Sequence, residues 1–287
     1  MSKDDNSKPS SPCGGGSCPD GTSKSQDDGI AASLSRIRHA FIVMSGKGGV
    51  GKSSISAGLS IRLANRGFSV GLLDVDIHGP SLAGIMGVKG LMDISRDSKV
   101  LPKKVNERLG VVSMQSLMSD GDQAVIWRGP AKSGVIRQFI GDVDWGELDF
   151  LIIDAPPGTG DEPLSVAQTI PGARAIIVTT PQEVALADVR KSINFCRVVN
   201  LEIAGLVENM GPFDCPCCGK KIALFKNGGG QVTAEEMKVA FLGTLPFDAR
   251  VVKACDSGKP LSLAENAPEF TKALDTIIEK IAVKTEA

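Results

Sequence analysis

The run Met44-Ser45-Gly46-Lys47-Gly48-Gly49-Val50-Gly51-Lys52-Ser53-Ser54 places two lysines in a glycine-rich loop where the ordinary phosphate-binding pattern needs one. Gly46, four residues, then Gly51-Lys52-Ser53 satisfies the GxxxxGK[ST] spacing. The glycines let the backbone curl so that successive N–H groups converge on a β-phosphate, and a following helix adds its positive amino end. On this reading Gly46, Lys47, Gly48, Gly49, Val50, Gly51, Lys52, Ser53 and Ser54 wrap a nucleotide. Lys52 neutralises the β- and γ-phosphates, and the Ser53 hydroxyl ligates Mg²⁺. Lys47 stands at the loop's entrance, where its side chain can point away from its own nucleotide and towards a second subunit's.

Carboxylates follow two later apolar runs. Leu72-Leu73-Asp74-Val75-Asp76 puts two aspartates two residues apart, and extended chain turns such a pair to one side. Asp74 and Asp76 are therefore expected to face the phosphate site together, one supporting Mg²⁺ or the loop lysine and the other orienting the attacking water. Phe150-Leu151-Ile152-Ile153-Asp154 reads as a Walker B strand that carries Asp154 to the sheet edge, where its carboxylate holds Mg²⁺ through water. The next residues, Ala155-Pro156-Pro157-Gly158-Thr159-Gly160, resemble a switch loop, with the Gly158 amide offered to the γ-phosphate. His39 and His78 have no partner pattern for metal or nucleophilic chemistry, and Trp127-Arg128-Gly129-Pro130 carries none that the sequence reveals.

The third chemical feature is Cys215-Pro216-Cys217-Cys218-Gly219. Cys215 and Cys218 form a C-x-x-C whose tight turn brings two thiolates towards one metal centre. Two ligands are half of what a [4Fe–4S] cluster or a tetrahedral Zn²⁺ requires, and a two-fold dimer supplies the other half. Cys217 adds a third thiol, which reads as a spare ligand, a cluster-exchange thiol or, the favoured reading, a small turn residue. The sequence holds seven cysteines, an odd number without a secretion signal, which favours reduced thiols or metal ligation over a disulfide framework.

These residues need a scaffold, and the rest of the chain describes one. Its 287 residues suffice for one large α/β domain. Strands are expected at 40–45, 69–73, 110–114, 149–153, 174–179, 202–208 and 241–245, and helices near 51–66, 131–140, 161–169, 183–199, 231–238 and 267–282. Several strands are continuously apolar, as in a parallel sheet covered on both faces, so the fold class is α/β, doubly wound and mainly parallel. Each motif follows a strand, at the carboxyl edge where such folds bind ligands. Residues 1–34 are poor in large apolar side chains and are expected to form a disordered tail containing Cys13 and Cys18, ahead of one domain at 35–287. A formal net charge of -1 gives no support to nucleic-acid or anionic-membrane binding. The polar N-terminus and the lack of a membrane-length apolar run point to a soluble, cytoplasmic protein.

The loop GKGGVGKS, the segment DVDIHGPS and the segment DAPPGTGD together resemble the Mrp/ApbC family of iron–sulfur cluster carrier ATPases, over about residues 36–283. That family belongs to the deviant-Walker P-loop group with MinD, ParA and the nitrogenase iron protein. The resemblance implies a nucleotide-sandwich homodimer in which Lys47 reaches the partner's phosphates, with ATP and Mg²⁺ as cofactors. It implies that Asn209 lies against adenine, with Pro246 and Phe247 as a second base-side wall. It also implies a bridging [4Fe–4S] cluster on Cys215 and Cys218, handed over to apo iron–sulfur proteins.

Rival readings stay open at this level. A dimer-bridging Zn²⁺ would use the same knuckle. A MinD- or ParA-like positioning switch would need a basic surface or a cationic membrane helix. The terminal helix has an apolar face (Phe270, Leu274, Ile277, Ile278, Ile281) but mixed charges, which favours core packing. A nitrogenase-iron-protein-like reductase would share the dimer and use the cluster to donate electrons.

Overall fold

The computed structural model describes residues 29–76, 79–117, 129–260 and 266–283. In chain order the first elements are α1 (residues 29–34), β1 (Ile37–Ser45), α2 (Lys52–Asn65), β2 (Val70–Asp74) and α3 (Leu82–Ile85). β3 (Asp93–Ile94), β4 (Val100–Leu101), β5 (Lys103–Asn106), β6 (Leu109–Ser113) and α4 (Gly129–Asp142) follow. Next come β7 (Leu148–Asp154), α5 (Asp161–Thr169), β8 (Arg174–Thr179), α6 (Glu183–Val198) and β9 (Glu202–Gly211). The last are β10 (Phe213–Asp214), β11 (Lys221–Ile222), α7 (Gly229–Glu236), β12 (Phe241–Pro246), α8 (Ala249–Asp256) and α9 (Pro268–Val283).

An eight-stranded sheet in the order β12-β9-β8-β1-β7-β2-β6-β5 forms the middle layer. Every pairing in it is parallel except β5 with β6. β1 lies between β7 and β8, so the strand order reverses beside it, and the loops leaving these strands meet at one edge. The glycine loop follows β1, the Asp76 segment β2, the switch segment β7 and the cysteine motif β9.

Side-chain alternation explains the unbroken apolar runs. Phe41 and Val43 of β1 join the core beneath α2 and α9, while Ile42 and Met44 join the opposite core beneath α4, α5 and α6. Phe150 and Ile152 of β7 share the first core, and Leu151 and Ile153 the second. The apolar face of α9 is spent in the first core, where Phe270, Leu274, Ile277, Ile278 and Ile281 are all buried. Arg62 on α2 clamps Asp275 on α9 through Nε at 2.9 Å and Nη2 at 2.8 Å. That face has nothing left for a membrane, and among the described residues no helix is long and apolar enough to cross one.

All seven expected strands and six expected helices are present, within a few residues at their ends. Residues 29–34 correct the expected tail boundary: they form α1, where Ile30 is buried and Ser33 Oγ donates to the Val143 carbonyl at 3.0 Å. Residues 1–28, with Cys13 and Cys18, lie outside the described residues, as do Ile77, His78, Trp127 and Arg128. The elements not foreseen are short or polar: the antiparallel edge strand β5, the hairpins β3–β4 and β10–β11, and helices α1, α3 and α8. His39, at the opposite end of β1 from the loop, packs its ring 5.3 Å from Phe150, and burial, then Arg174, lowers its pKa. It is structural.

Candidate functional site

The glycine loop is shaped by close approaches that only glycine allows. A Cβ on Gly46 would lie 2.5 Å from the Asp188 carbonyl carbon of α6. Gly51 has φ +84°, and a Cβ there would run into the Asn209 amide. α2 then starts at Lys52 with no side-chain cap and no acidic residue in its first turn, which leaves its amino end open to an anion. Lys52 is buried, with Nζ 2.7 Å from Asp154 Oδ2, yet among the described residues that nitrogen makes no well-directed hydrogen bond. A buried ammonium with unspent protons at a helix amino end matches the chemistry of a polyphosphate.

Asp154 is 1% exposed and triply held. Besides Lys52, Ser53 Oγ donates to its Oδ2 and Ser56 Oγ to its Oδ1, both at 2.7 Å. Ser53 and Asp154 therefore present hard oxygen donors side by side, a set suited to Mg²⁺. Ser56 was missed by the motif reading. Its signal is its position, three residues after Ser53 and so on the same helical face.

Asp74 and Asp76 are both buried, and the flanking Leu73 and Val75 both join the second core. β2 ends at Asp74, Val75 N still donates to the Asp154 carbonyl at 3.1 Å, and the Asp76 amide donates to Asp74 Oδ1 at 3.1 Å. Asp74 is fully buried, and its Oδ2 accepts from Leu82 N at 3.2 Å and Ser113 Oγ at 3.0 Å. Both carboxylate oxygens thus accept hydrogen bonds from the protein. Burial, then the charge of Asp154 on the paired strand, pushes the Asp74 carboxyl up to about 7, against hydrogen bonds from the Asp76 amide and Ser113. Asp76, beyond the strand, accepts from Gly79 N at 3.1 Å.

Ser45, unremarked in the sequence, ties the loop to the switch segment. Its Oγ donates to the Lys47 carbonyl at 2.9 Å, and its own carbonyl accepts the Gly158 amide at 2.8 Å. The Gly158 amide is therefore already engaged here, at φ +94°, and must leave Ser45 before it can meet a phosphate. Asn209 Nδ2 likewise donates to the Val50 carbonyl at 2.9 Å, bracing the loop and leaving its amide oxygen for other contacts. Its neighbour Glu208 is wholly buried, with Oε2 2.6 Å from Gly230 N of α7. Phe247 follows β12, and its N–H donates to the Gly211 carbonyl at 3.0 Å.

The cysteines occupy the turn of the β10–β11 hairpin. Cys215 N donates to the Lys220 carbonyl at 2.9 Å and Gly219 N to the Cys215 carbonyl at 2.8 Å, with Gly219 at φ +67° closing the turn. Amide N–H groups of Cys217 and then Cys218 point at the Cys215 sulfur and lower its pKa. Cys215 is half-buried, while Cys217 and Cys218 are exposed. Among the described residues, no group of three or more His, Cys, Asp or Glu converges to hold a metal ion. One described chain offers a thiolate-favouring pair, not a complete ligand set.

The glycine loop closing on α2, the buried Lys52–Asp154 pair and the mainly parallel sheet define a P-loop nucleotide-binding domain. The family model described as ParA: NUBPL iron-transfer P-loop NTPase matches residues 36–282, and the chain belongs to that family. Among relatives, the iron–sulfur cluster carrier protein of Methanocaldococcus jannaschii is 44% identical over 275 residues, 94% of each chain. That of Saccharolobus solfataricus is 45% identical over 255 residues, 87% of this chain and 86% of the relative. A nucleotide-binding protein from Archaeoglobus fulgidus, solved in complex with ADP, superposes with a TM-score of 0.72 at 39% identity, covering 82% of this chain and 92% of that one. The cell division ATPase MinD of Pyrococcus furiosus shares the fold, with a TM-score of 0.62 at 22% identity over 85% of this chain and 98% of its own.

Proposed function

We propose that the protein is an ATP-driven carrier of iron–sulfur clusters. Two copies close on nucleotide, hold one [4Fe–4S] cargo between their Cys215/Cys218 pairs and release it to apoproteins. The cysteine hairpin is the observation that carries the reading. Its amides favour the Cys215 thiolate, its sulfurs are accessible, and the described chain supplies only a pair, so two-fold symmetry is the natural way to reach four thiolates. Relatives named iron–sulfur cluster carrier proteins, matched nearly end to end, support the cargo class.

In this reading the loop amides and Lys52 bind the β- and γ-phosphates of ATP. Ser53 and Asp154 would hold Mg²⁺, which supplies charge neutralisation at those phosphates. Asp76, beyond the strand end, orients the attacking water, while Asp74, buried beside Asp154 on the paired strand, supports the loop lysine Lys52 by its charge. Lys47 approaches the nucleotide of the second copy, so closure of the dimer completes each site. Asn209, Pro246 and Phe247 flank the base. The Gly158 amide exchanges Ser45 for phosphate on ATP binding and returns after hydrolysis. A homodimer in the cytoplasm is the assembly this scheme requires.

Anaerobic reconstitution followed by iron and sulfide analysis tests the cargo. About four of each per two chains is expected, and they should be lost to an apo-acceptor. Tightly held zinc that iron cannot displace would overturn the reading.

A further inference from the structure

We propose that the end of β9 carries nucleotide state to the cysteine pair, with Phe213 and Phe247 as its positioning residues. The inference rests on the carrier reading and adds the route by which its two sites communicate.

Three observations meet there. Asn209 holds the Val50 carbonyl of the glycine loop at 2.9 Å, and Cys215 follows six positions later in the same stretch of chain. Between them Met210 has φ +59°, a left-handed conformation that a residue with a side chain keeps only where its surroundings enforce it. The surroundings are visible. The Gly211 carbonyl accepts Phe247 N at 3.0 Å, and a Cβ on Gly211 would collide with the Thr244 side chain.

The third observation is aromatic. The Phe247 ring lies 5.6 Å from the Phe213 ring, tilted by 51°. Phe213 pairs with Ile222 across the hairpin, and Asp214 and Cys215 come next in the chain. The ring pair borders a cavity of about 730 Å³, lined by Phe213, Cys215 and Lys221 on the hairpin side and by Phe247, Arg250 and Glu269 opposite. The hairpin therefore has room to swing, and the Phe213–Phe247 contact sets where it stops.

A glycine loop that tightens on phosphate shifts Val50 and draws Asn209 with it. The constrained Met210–Gly211 step passes that shift to Phe247, and the ring pair passes it to the hairpin. Nucleotide then changes where the hairpin stands over the cavity, and so how readily a reagent reaches the Cys215 and Cys218 sulfurs.

The test uses the full chain without iron. Alkylation rates of Cys215 and Cys218 by iodoacetamide are followed by mass spectrometry, with and without a Mg²⁺–ATP analogue. In the wild type the nucleotide should change the rate about threefold or more, in the range reported for coupled sites. Phe213→Ala should bind the analogue with unchanged affinity and lose that response, and Phe213→Tyr, which keeps the ring, should restore it. Should Phe213→Ala fail to fold, Met210→Gly keeps every other side chain while freeing the backbone, and it should weaken the response. A response that persists in Phe213→Ala or is undiminished in Met210→Gly overturns the route, because shielding by a second copy or transmission through 156–161 would then explain it. A wild type that shows no response overturns it too. Iron uptake is read separately: a chain that responds to nucleotide but takes up no iron sinks the carrier reading and leaves the route standing.

Discussion

Lys52 and Asp154 meet as a buried ion pair, Nζ to Oδ2 at 2.7 Å, joining the first turn of α2 to the end of β7. The pair links the phosphate loop to the Walker B strand before any ligand arrives. Its carboxylate is satisfied by two serine hydroxyls as well, whereas its ammonium is not fully satisfied. The asymmetry points the unspent donors at the loop, where a phosphate would take them up.

Removing either lysine should therefore give different results. Lys52→Ala should abolish binding of ATP analogues in calorimetry. It should also destabilise the fold by about 3 kcal/mol, the low end for breaking a buried pair, because Ser53 and Ser56 still hold Asp154. Lys47→Ala should leave binding to the monomer measurable while impairing hydrolysis and nucleotide-driven pairing of chains. Equal loss of binding in both variants would remove the division of roles.

The carboxylates should separate by metal dependence. Asp154→Asn and Asp76→Asn are both expected to suppress ATP turnover. Raised Mg²⁺ should partly rescue the first, which weakens a metal site, and not the second, which misplaces water. The reverse pattern of rescue would exchange their roles.

Asp74 makes a prediction about pH. Its carboxyl is raised from 3.8 to about 7 in the folded chain, by burial first and Asp154 second. Between those values the unfolded chain releases this proton while the folded chain keeps it, so stability from this group is full below about pH 4 and falls as pH rises towards 7. Asp74→Asn should flatten that slope. Urea midpoints at several pH values from 4.5 to 7.5 check it, and a slope unchanged by the substitution would show that Asp74 is not its source.

The sequence was most legible where residue type and local period act together. Continuous apolar runs read correctly as buried parallel strands because both faces of β1 and β7 are covered. The charges on α9 also read correctly, since its apolar stripe packs into the core and Asp275 is clamped by Arg62. What escaped were contacts made across the chain. Ser45, Ser56 and Ser113 are ordinary residues until the fold sets them against Gly158, Asp154 and Asp74. The hydrogen bond from the Asp76 amide to Asp74 Oδ1 is likewise invisible to a periodicity rule, which orders side chains by face and says nothing of how one folds back on the backbone. α8 spans only eight residues and the two small hairpins two residues per strand, too short for a period to announce them.

The thiols should titrate in an order set by their surroundings. Cys196 is wholly buried against the Met44 sulfur at 3.9 Å, and burial pushes its thiol up to about 11. Cys255, beside Ser54, is also raised by burial, whereas amides of Cys217 and Cys218 lower Cys215. A lower pKa gives more thiolate at a given pH, so the alkylation rate of Cys215 should rise and level off at lower pH than that of any buried cysteine. Residue-resolved labelling from pH 6 to 9.5 measures this. Cys196 reacting as fast as Cys215 in folded protein would contradict the hairpin geometry.

The decisive substitutions lie in the hairpin. Two-fold symmetry doubles every change, so Cys215→Ser or Cys218→Ser each removes two of four proposed ligands and should alone abolish stable cluster binding, about four iron per two chains falling to near none. Cys217→Ser removes a thiol outside the C-x-x-C pair, and the cluster should survive it with its broad thiolate-to-iron absorption intact. Deleting residues 1–28, with Cys13 and Cys18, should also leave the bridging cluster in place, because α1 and its Ser33–Val143 bond are retained. The Cys215→Ser variant has a further use, since nucleotide binding depends on Lys52 and the glycine loop and should be unchanged in it. Full cluster occupancy in Cys215→Ser would place the cargo elsewhere on the chain, and loss of nucleotide binding in the same variant would mean that the hairpin supports the loop rather than the cluster.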